Sequence, residues 1–170
     1  MRRAIRVLVS MTALAVAAAC AAPPPPPPPA PAGPTPAELM AAADALDKQF
    51  VSAFNSGDAA ALSATYWNSP NAVSIGPDGM GTRGIDNIRA GLVEMFKAMP
   101  GAQLELTSQN EVHGDVVLGW GTFRFTIPAK PKPQVLEGRF SDAKAMRDGK
   151  MVYLMDHASV PLPPPPPAKK

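Results

Sequence analysis

The run around Asp148-Gly149, a strong signal for a two-residue turn, carries the chain's best candidates for chemistry. Folding the flanking segments back on that turn pairs Met146 with Met151, Lys144 with Tyr153, Asp142 with Met155 and Phe140 with His157. Strand alternation then puts Phe140, Asp142, Lys144, Met146, Met151, Tyr153, Met155, His157 and Ser159 on one face. Asp142 stands one diagonal step from His157. An imidazole oriented by a carboxylate is an acid–base pair that can move a proton near neutral pH. The plainer alternative is that His157 bonds a backbone carbonyl and closes the fold. Met146, Met151, Met155 and His157 are also soft donors of the kind that suits Cu(I), but methionine fills apolar pockets just as well. On the opposite face Arg139 and Asp156 are diagonal neighbours, spaced for a structural ion pair.

Aromatic residues supply candidates for binding rather than catalysis. Tyr66-Trp67 ends a short helical run, and Trp120 and Phe123 lie on a long strand, where they can floor an apolar cavity or simply pack as core. The candidate ligand-binding set is Tyr66, Trp67, Trp120, Tyr153, Met155 and His157. Arg124 shares the face of Trp120 and would meet a ligand carboxylate if that face points inward; it is solvated otherwise. His113, beside Gly114-Asp115, reads as an exposed turn residue. The sequence has no glycine-rich phosphate loop, no paired cysteines, and no HExxH or GxSxG motif, so it calls for no cofactor and no metal.

These residues depend on a scaffold of helices followed by strands. Thr35-Pro36-Ala37-Glu38 is a helix start with a cap, a proline at the first position and a capping box. Leu39, Ala43, Leu46, Phe50 and Ala53/Phe54 then recur at steps of three and four, giving one apolar face. Asn55-Ser56-Gly57 ends this helix, and Asp58 caps a second one running to about Tyr66. Asn71–Ile75 and Met80–Thr82 form a small hairpin. A third helix from about Gly84 buries Ile85, Ile88, Leu92, Met95/Phe96 and Met99. Gln103–His113 and Val116–Ile127 flank Gly114-Asp115 as a hairpin, and Val135–Arg147 and Met151–Val160 form the last. The class is α+β, with helices packed on one face of a curved antiparallel sheet.

Of 22 prolines in 170 residues, ten fall between Pro23 and Pro36 and six between Pro161 and Pro167. Residues 35–160 are therefore the folded domain, with a proline-rich tether over 20–34 and a proline-rich tail over 161–170. A multidomain enzyme, a repeat protein and a disulfide scaffold are excluded, the last because Cys20 is the only cysteine. The formal charge is +2, but residues 35–160 carry −3. With no clustered basic face, nucleic acid is excluded as a partner. Arg2, Arg3 and Arg6 precede an apolar run from Val7 to Ala19, too short to span a bilayer as a helix. Residues 1–19 thus read as a signal peptide. Small residues before Cys20 resemble a bacterial lipoprotein signal, which implies lipidation of Cys20, a membrane anchor and a domain facing the periplasm. Ordinary cleavage near Ala19–Ala22, leaving a soluble secreted protein, is the alternative. Pro23–Pro29 then acts as a semi-rigid polyproline spacer.

Four stretches together resemble the nuclear transport factor 2-like superfamily and, within it, the SnoaL-like group: Gln49–Asp58 at the first helix break; Pro77-Asp78-Gly79 with Gly84 and the helix after it; the Gly114-Asp115 hairpin; and Asp156–Pro161 on the last strand. The resemblance covers residues 37–160 and implies a cone-shaped fold in which the face of His157 lines the interior. Ketosteroid isomerases in this superfamily carry an oxyanion-stabilising tyrosine and a general-base aspartate; the resemblance puts these at Phe50 and near Ile75, which can do neither job. The expectation is an envelope-anchored accessory or small-molecule-binding module with a mostly apolar pocket for an apolar or amphipathic molecule. The alternative is a cofactor-independent isomerase or hydrolase/dehydratase with His157 and Asp142 as its acid–base pair. The third reading is a structural module that forms a homodimer through its outer sheet face.

Overall fold

The computed structural model describes residues 33–161. Helix α1 (Pro36–Asn55) begins as expected: the Thr35 side chain accepts from the Glu38 amide, and the Glu38 carboxylate accepts from the Thr35 amide at 2.7 Å. It buries Leu39, Ala43, Leu46, Ala53 and Phe54, together with one acid, Asp47. Helix α2 (Ala59–Ser63) is capped by Asp58, whose carboxylate accepts from the amides of Ala60 and Ala61. It stops three residues short of Tyr66. Tyr66 instead forms an isolated parallel bridge with Tyr153, because the Thr65 carbonyl and Trp67 amide bond to the Tyr153 backbone at 2.9 Å each.

Strands β1 (Val73–Ile75) and β2 (Gly81–Arg83) follow, then helix α3 (Ile85–Ala98). Long strands complete the chain: β3 (Gln103–His113), β4 (Val116–Ile127), β5 (Gln134–Arg147) and β6 (Lys150–Ser159). The sheet order is β2-β1-β6-β5-β4-β3. It is mixed rather than purely antiparallel, because β1 lies parallel to β6. A short strand entering from the helices can reach the free edge of β6 in that direction through a crossover. Asp148 and Gly149 both have positive φ, 51° and 78°, the geometry of a tight hairpin turn.

Two apolar clusters join helices to sheet. One gathers Leu39, Ala43, Leu46, Tyr66, Ile88, Val117 and Tyr153; the other Phe54, Leu62, Leu104 and Phe123. The helices thus cover one face of a bent sheet and leave a hollow between them.

Candidate functional site

A cavity of about 440 Å³ opens between α1, α3 and the inner face of the sheet. Its walls are apolar: Phe50 and Phe54 from α1, Leu92 and Met95 from α3, Phe123 and Phe140 from the sheet. The exposed lining residues Pro77, Asp78 and Met80, on the turn between β1 and β2, mark its mouth. Set into this apolar surface are Asp142, Asp156, Tyr66 and Ser74.

A bulge in β6 decides which residues face the cavity. Met146 lies opposite Met151 and Lys144 opposite Tyr153, as the turn predicts. The register then slips by one residue, so that Ala143 pairs with Met155, Asp142 with Asp156, Ser141 with His157 and Phe140 with Ala158. Because side chains alternate, one extra residue exchanges the faces of everything beyond it. Asp156 and Ala158 line the cavity; Met155 and His157 do not. His157 is partly buried opposite the exposed Ser141, on the other face from Asp142. The structure therefore does not bring His157 and Asp142 together, and the pairings expected for Asp142 and Phe140 are each displaced by one residue. The same slip separates Arg139 from Asp156: Arg139 stays on the outer face and Asp156 turns inward.

Tyr66 and Tyr153 do meet at the cavity, with ring centroids 5.8 Å apart. Trp67 lies outside it, under the Arg147 guanidinium at 5.4 Å. Trp120 is exposed on the outer face with Leu118. Arg124 is also outside and pairs with Glu137 at 2.6 Å. The methionines do not form one donor set, since Met155 has left the face of Met146 and Met151. Phe50 and Ile75 both line the cavity, so apolar side chains stand at the two positions the isomerase resemblance singled out. Cys20, the signal segment and most of the tail lie outside the described residues.

Behind the cavity wall is a polar cluster that the sequence reading passed over. Lys144 is fully buried. Its ammonium donates to Asn110 Oδ1 at 2.7 Å and pairs with Asp47 at 2.9 Å and Asp142 at 3.0 Å. Asp47 in turn accepts from the Tyr153 hydroxyl at 2.5 Å and from Asn110 Nδ2 at 3.0 Å. Burial raises the Asp47 carboxyl, but the Tyr153 hydrogen bond and the Lys144 charge outweigh it, and the net displacement is downward. Burial, with the Asp47 charge and hydrogen bond added, pushes the Tyr153 hydroxyl upward. A sequence signal for this cluster existed: Asp47 falls on the apolar stripe of α1, between Ala43 and Phe50. An acid there needs a buried partner. Gly119 supplies the space, since a methyl group at that position would collide with the Asp142 carboxylate and the Lys144 ammonium.

Asp142 and Asp156 are not matched in this way. Asp142 Oδ1 has only its ion pair with the shared Lys144 ammonium at 3.0 Å, and Asp156 Oδ1 has no partner among the described residues. Burial pushes the Asp142 carboxyl up to about 6, against the opposing pull of Lys144. Burial also pushes Asp156 up to about 6, against the hydroxyls of Ser74 and Tyr66, and the charge of Asp142 adds to the rise. Burial and the neighbouring Asp156 charge raise the Tyr66 hydroxyl as well.

A cone of helices on a curved sheet, hollow and apolar with a few polar groups inside, is the architecture of nuclear transport factor 2-like and cystatin-like folds. A protein of that superfamily from Salmonella enterica matches with a TM-score of 0.68 at 18% identity, over 79% of this chain and 99% of its own. A cystatin-like protein from Caulobacter vibrioides matches with a TM-score of 0.64 at 19% identity, over 74% and 92%. A proposed dehydratase of the NTF2-like family from Streptomyces avermitilis matches with a TM-score of 0.68 at 16% identity, over 76% and 100%. At the level of sequence, residues 48–154 match the SnoaL-like domain, and the chain belongs to that family. No curated protein matches it.

Proposed function

We propose that this domain binds a small, mainly apolar molecule in the cone, with the molecule's polar end on Asp142, Asp156 and Tyr66. The observation that carries the reading is Asp156 Oδ1, buried with no hydrogen-bond partner among the described residues and set with Asp142 in the wall of a 440 Å³ apolar hollow. Buried polar atoms in a finished structure are paired, and an orphan in the cavity wall fits a partner that arrives with the ligand. The aromatic and methionine walls match an apolar body rather than a sugar or a nucleotide.

Where the chain works belongs to the same proposal. A basic start, a short apolar run and small residues before Cys20 support a lipid anchor at the bacterial envelope, with the proline spacer holding the cone off the bilayer. Mass spectrometry of the mature chain tests this: an acylated Cys20 as the first residue supports it, and an unmodified Cys20 refutes it.

One observation favours a second reading, a cofactor-independent hydrolase, dehydratase or isomerase. Both carboxyls are pushed up to about 6, so near neutral pH one can hold a proton while the other accepts one. In that case Asp156, not His157, partners Asp142.

Titration calorimetry with naphthylmethanol, a neutral probe, tests the binding reading. The full chain should take up one molecule. The variant Ala158→Trp, which fills the cavity from β6, should bind none while unfolding cooperatively like the parent. Absence of saturable uptake by the parent would overturn the reading.

A further inference from the structure

We infer that the ligand of this cavity is a cation, an apolar amine whose ammonium group is held by Asp142 and Asp156. The inference rests on the binding reading above and names the chemical class of its ligand.

The charge inventory comes first. Among the described residues, the cavity lining includes three aspartates, Asp78, Asp142 and Asp156, and no lysine, arginine or histidine. The nearest base, Lys144, pairs with Asp142 at 3.0 Å but shares its ammonium with Asp47 at 2.9 Å and Asn110 at 2.7 Å, and no ion pair joins it to Asp156. Asp47 is saturated by Lys144, Tyr153 and Asn110. The groups facing Asp156 are therefore Asp142 from β5, the Tyr66 and Ser74 hydroxyls from the segments beside β6, and Tyr153 beyond. None is a cation. Three carboxylates (Asp47, Asp142 and Asp156) stand near one buried ammonium, so when all are ionised the interior holds two uncompensated negative charges in an apolar wall. Such a charge is costly until a counter-charge arrives.

The geometry then selects the shape of the counter-charge. Asp142 and Asp156 are direct cross-strand partners, so their carboxyls project from neighbouring positions on one face. A primary ammonium carries three N–H donors. Two can serve the carboxylates of Asp156 and Asp142 and the third the Tyr66 hydroxyl. The rings of Phe50 and Tyr66 stand 6.3 Å apart beside this spot, and ring faces also attract a cation. Methionines and phenylalanines further along the cavity accept the apolar body. Asp78, exposed at the mouth, gives the entrance the same sign as the interior.

A matched probe series tests the charge directly. Titration calorimetry of the full chain with naphthylmethylamine, naphthylmethanol and naphthoate holds the apolar body constant while the head group changes. At about pH 7.5 the amine should bind at least about tenfold tighter than the alcohol, because a charge-assisted hydrogen bond is the stronger kind, and naphthoate should bind weakest. At about pH 4.5, where both carboxyls hold their protons, the preference for the amine should shrink towards nothing. Asp156→Asn should erase most of it at neutral pH while leaving the alcohol's affinity nearly unchanged. Should that variant fail to fold, the pH series on the parent chain decides alone. An alcohol that binds as tightly as the amine at neutral pH overturns the cation and leaves the cavity reading standing. Failure of all three probes to bind overturns both.

Discussion

Replacing Asp156 by asparagine should make the protein more stable, and by an amount that depends on pH. Burial and the neighbouring Asp142 charge hold the Asp156 carboxyl at about 6, against an ordinary value of 3.8. Each pH unit is worth about 1.4 kcal/mol, so keeping this group ionised at neutral pH costs the fold on the order of 3 kcal/mol. Asparagine has nearly the same shape, carries no charge and still offers an oxygen to the Tyr66 and Ser74 hydroxyls. The expected gain for Asp156→Asn is about 2 kcal/mol at about pH 7.5, read as a higher urea midpoint at unchanged slope. The sign runs opposite to that of most buried acids. An acid whose value is raised on folding binds its proton more tightly in the folded state. The parent should therefore gain stability as pH falls from about 6 towards 3.8 and level off above 6. Asp47, whose value is lowered, behaves in the opposite way: its contribution is present above 3.8 and is lost as pH drops below. The parent should thus be most stable in the mildly acid range, and the advantage of Asp156→Asn should vanish near pH 4. A variant that is less stable than the parent at neutral pH, or a gap that does not change with pH, would refute the reasoning. It would mean that Asp156 is paired in a way that repays its burial. A destabilising charge at a cavity wall is what a binding site built ahead of its ligand looks like.

Two further substitutions probe the support behind that wall. Lys144→Met keeps the volume and removes the ammonium that pairs with Asp47 and Asp142, leaving two buried carboxylates without it. A loss of about 3–5 kcal/mol in urea unfolding is expected, smaller at acid pH where Asp142 takes a proton, and a loss below about 1 kcal/mol would contradict the cluster. Gly119→Ala drives a methyl group into Asp142 and Lys144, and thermal melts should show about 1–3 kcal/mol of destabilisation. Gly91→Ala, on an exposed position of α3 with nothing near the new methyl group, should instead gain up to about 1 kcal/mol.

The fold was legible because it is written in short-range signals. The Thr35 capping box, the three-and-four spacing from Leu39 to Phe54, the Asp58 cap and the two-residue turn at Asp148-Gly149 each act within a few residues, and each appears where the sequence puts it. The parallel contact of β1 with β6 escaped because it joins segments some eighty residues apart, and no local pattern encodes it. The site was only half legible, for a sharper reason. Alternation is a parity argument, and parity survives only while the register holds. Between Tyr153 and Met155 it does not hold, because Tyr153 is gripped by two partners. Its side chain must reach Lys144's cluster, and its backbone bonds to Thr65 and Trp67 on the other edge. β5 then resumes its pairing one residue later, against Met155. Every residue of that face before the bulge therefore kept it: Phe140, Asp142, Lys144, Met146, Met151 and Tyr153. Beyond it, Met155 and His157 exchanged faces with Asp156 and Ala158. Asp142 stayed while its expected partner changed from an imidazole to a second carboxyl. That exchange turns a His–Asp pair able to work near neutral pH without outside help into two acids short of a cation, and it is why the cavity's chemistry calls for a positively charged guest.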